Sequence, residues 1–415
     1  MELTLTALAE KFTQVRNQTE RLVEPLEAED FVAQPIVDVS PPKWHLGHTT
    51  WFFENFILAS FAEGYKLFDV DFNFIFNSYY ESQGERILRD KRGSLSRPTT
   101  RNVLEYRKHV DNALINFLKN HKGHQEEIEK FLTIGINHEQ QHQELLITDI
   151  KYILGANPLM PVYATREVQH PEATLPEFKW LKIAAGNYSI GYSGDGFHFD
   201  NEKGVHKVYL EAFECGNRLI TNGEYLEFMR AGGYEKVELW LAEGWDWVKA
   251  ANAKSPFYWF EKNDKWWTYS LHGIEVVNPA ETLTHINFYE AEAFARWKEK
   301  RLLTEQEWEI AAQLYGSNTY AHFQDKQQFQ AQIAVDNQFF GTAWEWTNSA
   351  YLPYPFYKQE AGALGEYNGK FMVNQMVLRG GSLATPQNHF RTSYRNFFHP
   401  HLQWQFTGFR LGSHL

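Results

Sequence analysis

The chain of 415 residues is longer than one hydrophobic core usually serves, so its length predicts two domains. Its formal net charge of -12 argues against binding to nucleic-acid phosphates, because that binding depends on clustered lysine and arginine. The single cysteine, Cys215, excludes an internal disulfide, and no apolar run approaches the about 20 residues that a membrane helix needs. Because the N-terminus also lacks a signal-peptide pattern, we expect a cytoplasmic protein that binds neither nucleic acid nor membrane.

The first part of the chain contains four segments with the apolar spacing of amphipathic helices. They cover about residues 5–22, 42–57, 103–117 and 128–154. Four such helices predict an antiparallel bundle. Between the second and third segments, residues 69–100 are polar and interrupted by glycine and proline, which predicts a long loop with a functional role.

The character of the sequence changes after residue 155. Residues 156–177 are punctuated by proline and predict a linker. From residue 178 to the end, short strand-like pieces alternate with turns, and only residues 221–230 and 289–298 have clear helical spacing. The predicted fold class is therefore multi-domain, α and α+β: a helical domain over residues 1–155 and an α+β domain over residues 178–415.

The strongest chemical signal is the segment HEQQHQELL, in which His138 and His142 are four residues apart. On a helix this spacing puts both imidazoles on one face, where they can bind one metal ion. Because two ligands hold a metal weakly, we expect a third from the segment WHLGH, which offers His45 and His48. The alternative is that an isolated pair of histidines is only structural.

The ligand types leave the metal open, because neutral imidazoles suit zinc, nickel and Fe(II). A carboxylate from Glu139 or Glu144 would give the face of two histidines and one carboxylate that many iron oxygenases use. Both acids lie off the face of the helix that carries the histidines, which favours the third imidazole.

Several longer motifs occur in the order in which a known family has them. The first part of the chain contains WHLGHTTWFFE, NSYYESQGER, RGSLSRPT and HEQQHQELL, and the second contains FDNEKGVHKVYLEAF, TNGEYLEFMRAGGY, WEWTNSAYLPYP, VLRGGSLAT, RTSYRNFF and GFRLG. On these motifs the chain resembles the ergothioneine-biosynthesis sulfoxide synthases. The resemblance implies an N-terminal four-helix DinB-like bundle followed by a C-terminal C-type-lectin-like domain of the formylglycine-generating-enzyme type.

The resemblance also implies an activity and a set of iron ligands. It implies an Fe(II)-dependent enzyme that uses dioxygen to join a thiol to the imidazole of N-alpha-trimethylhistidine (hercynine) and forms a sulfoxide. The implied ligands are His48, His138 and His142, with His45 as a neighbour that does not bind the metal. Gln141 is expected to contact the imidazole of the substrate.

Further expected site residues come from both parts of the chain. The resemblance implies that Asn396, Phe397 and Phe398 close over the trimethylammonium group, which aromatic faces attract. Some members have a catalytic tyrosine just before the VLRGG segment, but here that place reads NQM. We therefore expect the catalytic tyrosine in the NSYY segment, as Tyr79 or Tyr80.

A thiol substrate with a carboxylate needs a fixed cation, and arginine offers two parallel donors. The arginines expected to bind it are Arg86, Arg89 and Arg395, with Arg92, Arg97 and Arg410 as further candidates. The formylglycine-generating relatives use a pair of cysteines, whereas this sequence has only Cys215. We therefore expect the second domain to act as a lid over the metal and not to carry out that chemistry.

Three other interpretations remain open at this stage. Cysteine is the expected thiol, with gamma-glutamylcysteine or a selenium donor (a selenoneine-type synthase) as alternatives. A DinB-type thiol transferase would use zinc or nickel and need no oxygen. A lectin-like binding protein would bind its ligand without turnover, and its histidines would be structural.

Overall fold

The computed structural model describes residues 4–78, 84–121, 123–165, 175–359 and 368–415. In the described part, the helices of the first 165 residues are α1 Leu5–Val23, α2 Pro42–Phe53, α3 Ala59–Phe61, α4 Phe72–Phe76, α5 Thr100–Asn120 and α6 Gln125–Ala156. A π-helical turn, Glu54–Leu58, connects α2 to α3.

The four long helices α1, α2, α5 and α6 are those that the apolar spacing predicted. Each of α1 and α5 begins at a threonine whose hydroxyl accepts a backbone N–H of the first turn, at Thr4 and Thr99. Helix α2 is buried along its whole length, as its apolar and aromatic composition requires. The loop predicted between α2 and α5 is partly ordered by α4, which the sequence interpretation missed.

The second part of the chain builds small sheets. Its strands are β1 Trp180–Ile183, β2 Gly186–Ile190, β3 His206–Leu210, β4 Phe213–Gly216, β5 Trp259–Lys262, β6 Lys265–Ser270, β7 Gly273–Val276, β8 Arg301–Leu302, β9 Trp344–Ala350, β10 Met376–Arg379, β11 Asn396–Phe398, β12 Thr407–Gly408 and β13 Leu411–His414. They form sheets in the orders β1-β4-β13-β8, β11-β10-β9-β12, β2-β3 and β5-β6-β7. Only β12 and β9 pair in parallel among these strands.

Among the described residues of this part, four α-helices accompany the strands: α7 Asn222–Arg230, α8 Ala242–Ala251, α9 Phe288–Trp297 and α10 Glu305–Tyr315. The sequence predicted α7 and α9 but missed α8 and α10. The start of α10 did carry a signal, because Thr304 and Glu307 form a reciprocal capping box. The short α8 contains Gly244, whose missing side chain lets Tyr289 pack against the helix.

Residues that contact one another divide the described chain into two units. The first unit contains the helices up to Tyr163 together with Asp195–Phe197, and the second contains the sheets and the helices α7 to α10. This architecture confirms the predicted multi-domain α and α+β fold class. None of the helices in the described ranges is long and apolar enough to cross a membrane.

Candidate metal centre

Three histidines from two helices of the first unit converge in the bundle. His48 comes from α2, and His138 and His142 come from successive turns of α6. One ring nitrogen of each lies within 4.8 Å of the corresponding nitrogens of the other two. His48 and His138 are buried, and His142 is partly exposed. The group has the ligand number and chemistry of a metal centre with open coordination positions.

Two glycines let the helices and the loop approach closely enough for this convergence. A Cβ atom at Gly135, one turn before His138, would lie 2.4 Å from the ring of Phe53 on α2. A Cβ atom at Gly47 would lie 2.1 Å from the ring of Phe76. The absence of side chains at these positions therefore brings α6 and α4 against α2.

His48 is held in one orientation by three neighbours. Its Nδ1 donates to the backbone oxygen of Phe76 at 2.6 Å, which leaves Nε2 as the ligating atom. Its ring stacks on Trp44 at a centroid distance of 4.6 Å and on Trp51 at 5.7 Å. The imidazole is thus fixed between two indoles before any metal arrives.

The imidazoles of the three histidines are held in their neutral form. Burial lowers the pKa of His138 to about 4. Burial, followed by the repulsion of His138, also lowers the pKa values of His48 and His142 well below the ordinary value for histidine. Since a metal binds the neutral imidazole, the rings do not have to lose protons at neutral pH to become ligands.

His45 does not belong to this group, although it lies three residues before His48. Its Nδ1 is 2.9 Å from Nδ1 of His142, and its Nε2 is 3.0 Å from Oδ2 of Asp149. Both of its ring nitrogens are therefore engaged. The spacing in WHLGH could not distinguish the two histidines, because that requires their partners on α6.

The carboxylate of Glu139 is committed to a buried network on the other side of α6. It accepts hydrogen bonds from Arg16, Arg107 and Thr19 at 2.6–2.9 Å. Burial alone would raise the pKa of Glu139, but Arg107 and Arg16 outweigh burial and lower that pKa to about 2. Glu139 is thus a charged structural partner of two arginines, and neither it nor Glu144 belongs to the histidine group.

Among the arginines of the loop after α4, Arg92 lies near the histidines. Its guanidinium is 3.3 Å from the centroid of Trp44, and it donates to the hydroxyls of Ser40 and Ser78. Its positive charge contributes to the lowered pKa values of His48 and His142. The sequence interpretation ranked Arg92 behind Arg86 and Arg89, because spacing cannot tell which arginine turns inwards.

Arg86 and Arg89 are partly exposed in the same loop, and Arg89 donates to the backbone oxygen of Asp38. Gln141 is partly exposed on α6 directly before His142. Tyr79 and Tyr80 fall within residues 79–83, outside the described residues.

The second unit contains the remaining expected site residues. Arg395 is 1% exposed and forms a bidentate ion pair with Glu305 at 2.8 and 2.9 Å, and it also donates to two backbone oxygens. Arg410 is paired with Glu345 in the same way. These placements argue that both arginines stabilise the fold, and they argue against the substrate-binding role that the sequence suggested for Arg395.

The expected aromatic residues are more accessible than these arginines. Asn396, Phe397 and Phe398 form β11 and are all partly exposed. The ring of Phe397 stacks on Tyr351 at 4.0 Å and lies 5.9 Å from the ring of Phe371. The second unit therefore presents a group of aromatic rings around Phe397, and Tyr351 and Phe371 are members that sequence reasoning missed.

Comparison with known families identifies both units. A family described as the DinB superfamily matches residues 11–146. A family described as the sulfatase-modifying factor enzyme 1-like domain matches residues 165–339 and 335–414, which is more than half of the chain. The histidine group lies within the DinB match, and the aromatic group lies within the other.

Individual relatives carry two kinds of name, hercynine oxygenase and formylglycine-generating enzyme. The hercynine oxygenase of Mycobacterium tuberculosis is 28% identical over 303 residues, which cover 66% of this chain and 69% of that relative. The hercynine oxygenase of Mycolicibacterium smegmatis is also 28% identical, over 66% of this chain and 70% of its own length. The formylglycine-generating enzyme of Streptomyces coelicolor is 27% identical over 32% of this chain and 46% of its own length. The DinB match and the relatives named hercynine oxygenase agree with the resemblance to the ergothioneine-biosynthesis sulfoxide synthases, and those relatives indicate that the chain is an enzyme. The chain therefore belongs to the sulfatase-modifying factor enzyme 1-like family.

Proposed function

We propose that the chain is an Fe(II)- and oxygen-dependent sulfoxide synthase that forms a carbon–sulfur bond between a thiol, cysteine, and the imidazole of hercynine. The observation that carries this proposal is the convergence of His48, His138 and His142 in the DinB unit. The relatives named hercynine oxygenase support the choice of substrate and oxidant. We also propose the cytoplasmic location expected from the sequence, since its one cysteine, Cys215, is a buried thiol.

The histidine group suits Fe(II) by its chemistry. It offers three neutral nitrogen donors, which leave other positions around an ion for a thiol and for dioxygen. When bound, Fe(II) would supply a Lewis acid that favours the thiolate and the redox capacity that oxygen chemistry needs. The same donors would accept zinc or nickel, so that only a comparison of metals in an activity assay can identify the one that supports turnover.

We propose substrate-binding roles for Gln141 and for the β11 residues Asn396, Phe397 and Phe398. Gln141, next to His142, would hydrogen-bond the imidazole of hercynine. Asn396, Phe397 and Phe398 would receive its trimethylammonium group, which cannot donate hydrogen bonds but is attracted to aromatic rings. The stack of Phe397 on Tyr351 supports this role, because it keeps the ring of Phe397 in place.

For the thiol, we propose Arg86 and Arg89 as the partners of its carboxylate. Both are partly exposed, in contrast to the fully buried Arg395. The hydroxyl of Tyr79 or Tyr80 would donate a proton during the reduction of oxygen. These four residues are close in the sequence, between positions 79 and 89, so that a single segment would both bind the thiol and deliver the proton.

The balance of the reaction gives the test a defined product. A thiol, an imidazole C–H and one dioxygen yield the sulfoxide and one water, so that one oxygen atom enters the product. The enzyme is loaded anaerobically with Fe(II), given hercynine and cysteine or gamma-glutamylcysteine, and started by adding air. We expect one equivalent of dioxygen consumed per product and the label of ¹⁸O₂ in the sulfoxide.

The same assay separates the alternatives. Product formed with zinc or nickel and without oxygen would indicate a thiol transferase, and tight metal-independent binding without turnover would indicate a lectin-like protein. Turnover only with a selenium donor would indicate a selenoneine-type synthase. A His142→Ala variant should be inactive, whereas the matched variant His401→Ala, which changes an exposed histidine of the second unit, should retain turnover.

A further inference from the structure

His45 lies in the interior of the DinB unit between a carboxylate and one of the candidate ligands. It is 3% exposed, and it bridges His142 and Asp149, which are seven residues apart on the same face of α6. The backbone N–H of Ser40 also donates to Oδ2 of Asp149, at 2.8 Å. The contacts form one continuous chain from the backbone of Ser40 to the ring of His142.

The direction of the hydrogen bonds in this chain follows from Asp149. Its Oδ2 is an acceptor, as its bond from the Ser40 N–H shows, so Nε2 of His45 must donate to it. When His45 is neutral, its Nδ1 is then an acceptor, and it accepts a hydrogen bond from the Nδ1–H of His142. Nε2 of His142 is left with its lone pair, which is the form that binds a metal.

We propose that Asp149 and His45 are positioning residues that fix His142 in its metal-binding tautomer and increase the electron density on its Nε2. This inference rests on the proposed metal-binding role of His142, but not on the identity of the substrates. A ligand histidine whose second nitrogen donates towards a carboxylate is both oriented and more basic.

The candidate ligands on α2 and α6 therefore differ in the group that accepts their Nδ1 proton. Nδ1 of His48 donates to a neutral carbonyl, that of Phe76, whereas Nδ1 of His142 donates into a path that ends at a charged carboxylate. His142 should be the stronger donor of the two. Loss of the Asp149–His45 pair should accordingly weaken metal binding without removing any ligand.

The tautomers can be read directly in the metal-free protein. With ¹⁵N-labelled histidine, long-range ¹H–¹⁵N correlation spectra distinguish a protonated ring nitrogen from a bare one. We expect a proton on Nδ1 of His142 and on Nε2 of His45, and a mixture of His142 tautomers in Asp149→Leu. A wild-type protein with the proton on Nε2 of His142 and on Nδ1 of His45 would overturn the inference.

Metal affinity supplies an independent readout. By anaerobic chelator competition, we expect the Kd for Fe(II) to rise about 10- to 100-fold in His45→Phe. The rise should be smaller in Asp149→Asn, which keeps an acceptor and loses only the charge. If His45→Phe does not fold, the Fe(II) affinity of Asp149→Asn and the tautomer spectra still test whether the pair positions His142.

The matched control is Glu54→Gln. Glu54 is a buried carboxylate of the same unit that accepts hydrogen bonds from Tyr65 and Tyr106 and has no contact with the histidine group. We expect it to lower the melting temperature and to leave the Kd for Fe(II) unchanged. If His45→Phe and Asp149→Asn did the same, the pair would be merely structural and the inference wrong. A wild-type protein with the expected tautomers and tight Fe(II) binding, but no turnover of hercynine, would refute only the proposed function.

Discussion

At the scale of single residues, the hydrogen-bond partners of each imidazole determine whether that histidine can be a metal ligand. His48 and His45 are close in sequence and both buried, yet only His48 contributes a ring nitrogen to the group with His138 and His142, whereas His45 contacts Nδ1 of His142 from outside that group. The neighbours of each ring determine this difference: a carbonyl and two indoles for His48, and Asp149 for His45. The carbonyl of Phe76 and the carboxylate of Asp149, which both lie far from these histidines in the sequence, therefore help to set which imidazole can be a ligand.

Replacing His138 with alanine should remove a ligand while leaving the helix intact, since alanine is the best helix former. We expect the Kd for Fe(II) to rise by more than the about 10- to 100-fold that loss of a ligand's hydrogen-bond partner costs. Titration with Fe(II) under anaerobic conditions measures it, with His401→Ala as the control. Equal affinity in the two variants would exclude His138 as a ligand.

The sequence could predict His138 and His142 because their relation is local, four residues on one helix. It could not choose between His45 and His48, nor see that Arg92 turns inwards while Arg89 stays partly exposed. Those outcomes depend on contacts between distant segments, such as His45 with His142, 97 residues apart, and Arg92 with Ser40, 52 residues apart. Arg395 illustrates the same limit, since its burial against Glu305 is invisible in its own motif.

At the scale of secondary structure, the close approach of α2 and α6 is what brings the ligands together. In Gly135→Ala, the new methyl group would lie 2.4 Å from the buried ring of Phe53. The clash costs about 1–3 kcal/mol, which outweighs the better helix propensity of alanine of about 1 kcal/mol. We expect a lower free energy of unfolding and weaker Fe(II) binding, both measured against wild type.

The matched variant is Gly186→Ala in the second unit, where the new methyl group would come no closer than 3.7 Å to a neighbour. It should change neither quantity appreciably. Normal Fe(II) affinity in Gly135→Ala would mean that the separation of α2 and α6 does not control the site.

Glu290, which forms the capping box of α9 with Asn287, should make the stability of the second unit depend on pH. Glu290 is fully buried, and burial raises its pKa to about 7 despite hydrogen bonds from Tyr234, Gln403 and the N–H of Asn287. The native state then keeps a proton that the unfolded state loses above pH of about 4.5, so this contribution to stability falls as the pH rises to about 7.

Urea unfolding of wild type and Glu290→Gln at pH 5 and pH 8 tests this dependence. The stability of wild type relative to the variant should fall between the two pH values, by at most about 3 kcal/mol. A relative stability that stays constant or rises with pH would show that Glu290 does not retain its proton.

Helices were predictable from sequence where the apolar spacing was long and regular. This holds for α1, α5 and α6, whose buried faces follow one stripe. The shorter α8 and α10 lie among aromatic-rich turns. For these two helices, the only start signal in the sequence was the capping-box pattern of α10. The strands are short and belong to small sheets, so their pairing could not be predicted from local alternation.

At the scale of the whole molecule, the order of a helical unit and an α+β unit was predicted from the change in composition near residue 155 and from the resemblance. The second unit holds its interior together with buried ion pairs, such as Arg395 with Glu305 and Arg410 with Glu345. Removing one partner of such a pair leaves an uncompensated buried charge.

In Arg395→Met, we therefore expect the free energy of unfolding to fall by about 3–5 kcal/mol. Adding Glu305→Leu should restore part of the loss, because it removes a buried carboxylate whose remaining ion pair, with Arg379, is longer at 3.4 Å. In the folded variant, Fe(II) affinity and the KM for the thiol should match those of wild type. A raised KM with unchanged stability would instead support the substrate-binding role expected from the sequence.

The central claim is that imidazoles from α2 and α6 bind one iron. X-ray absorption spectroscopy of the anaerobic Fe(II)-loaded protein tests it most directly, with His48→Ala, His138→Ala and His142→Ala alongside. The account predicts one iron per chain with three imidazole ligands in wild type, and loss of the iron or of one imidazole in each variant. An iron spectrum without three imidazoles in wild type, or one that the three substitutions leave unchanged, would contradict it.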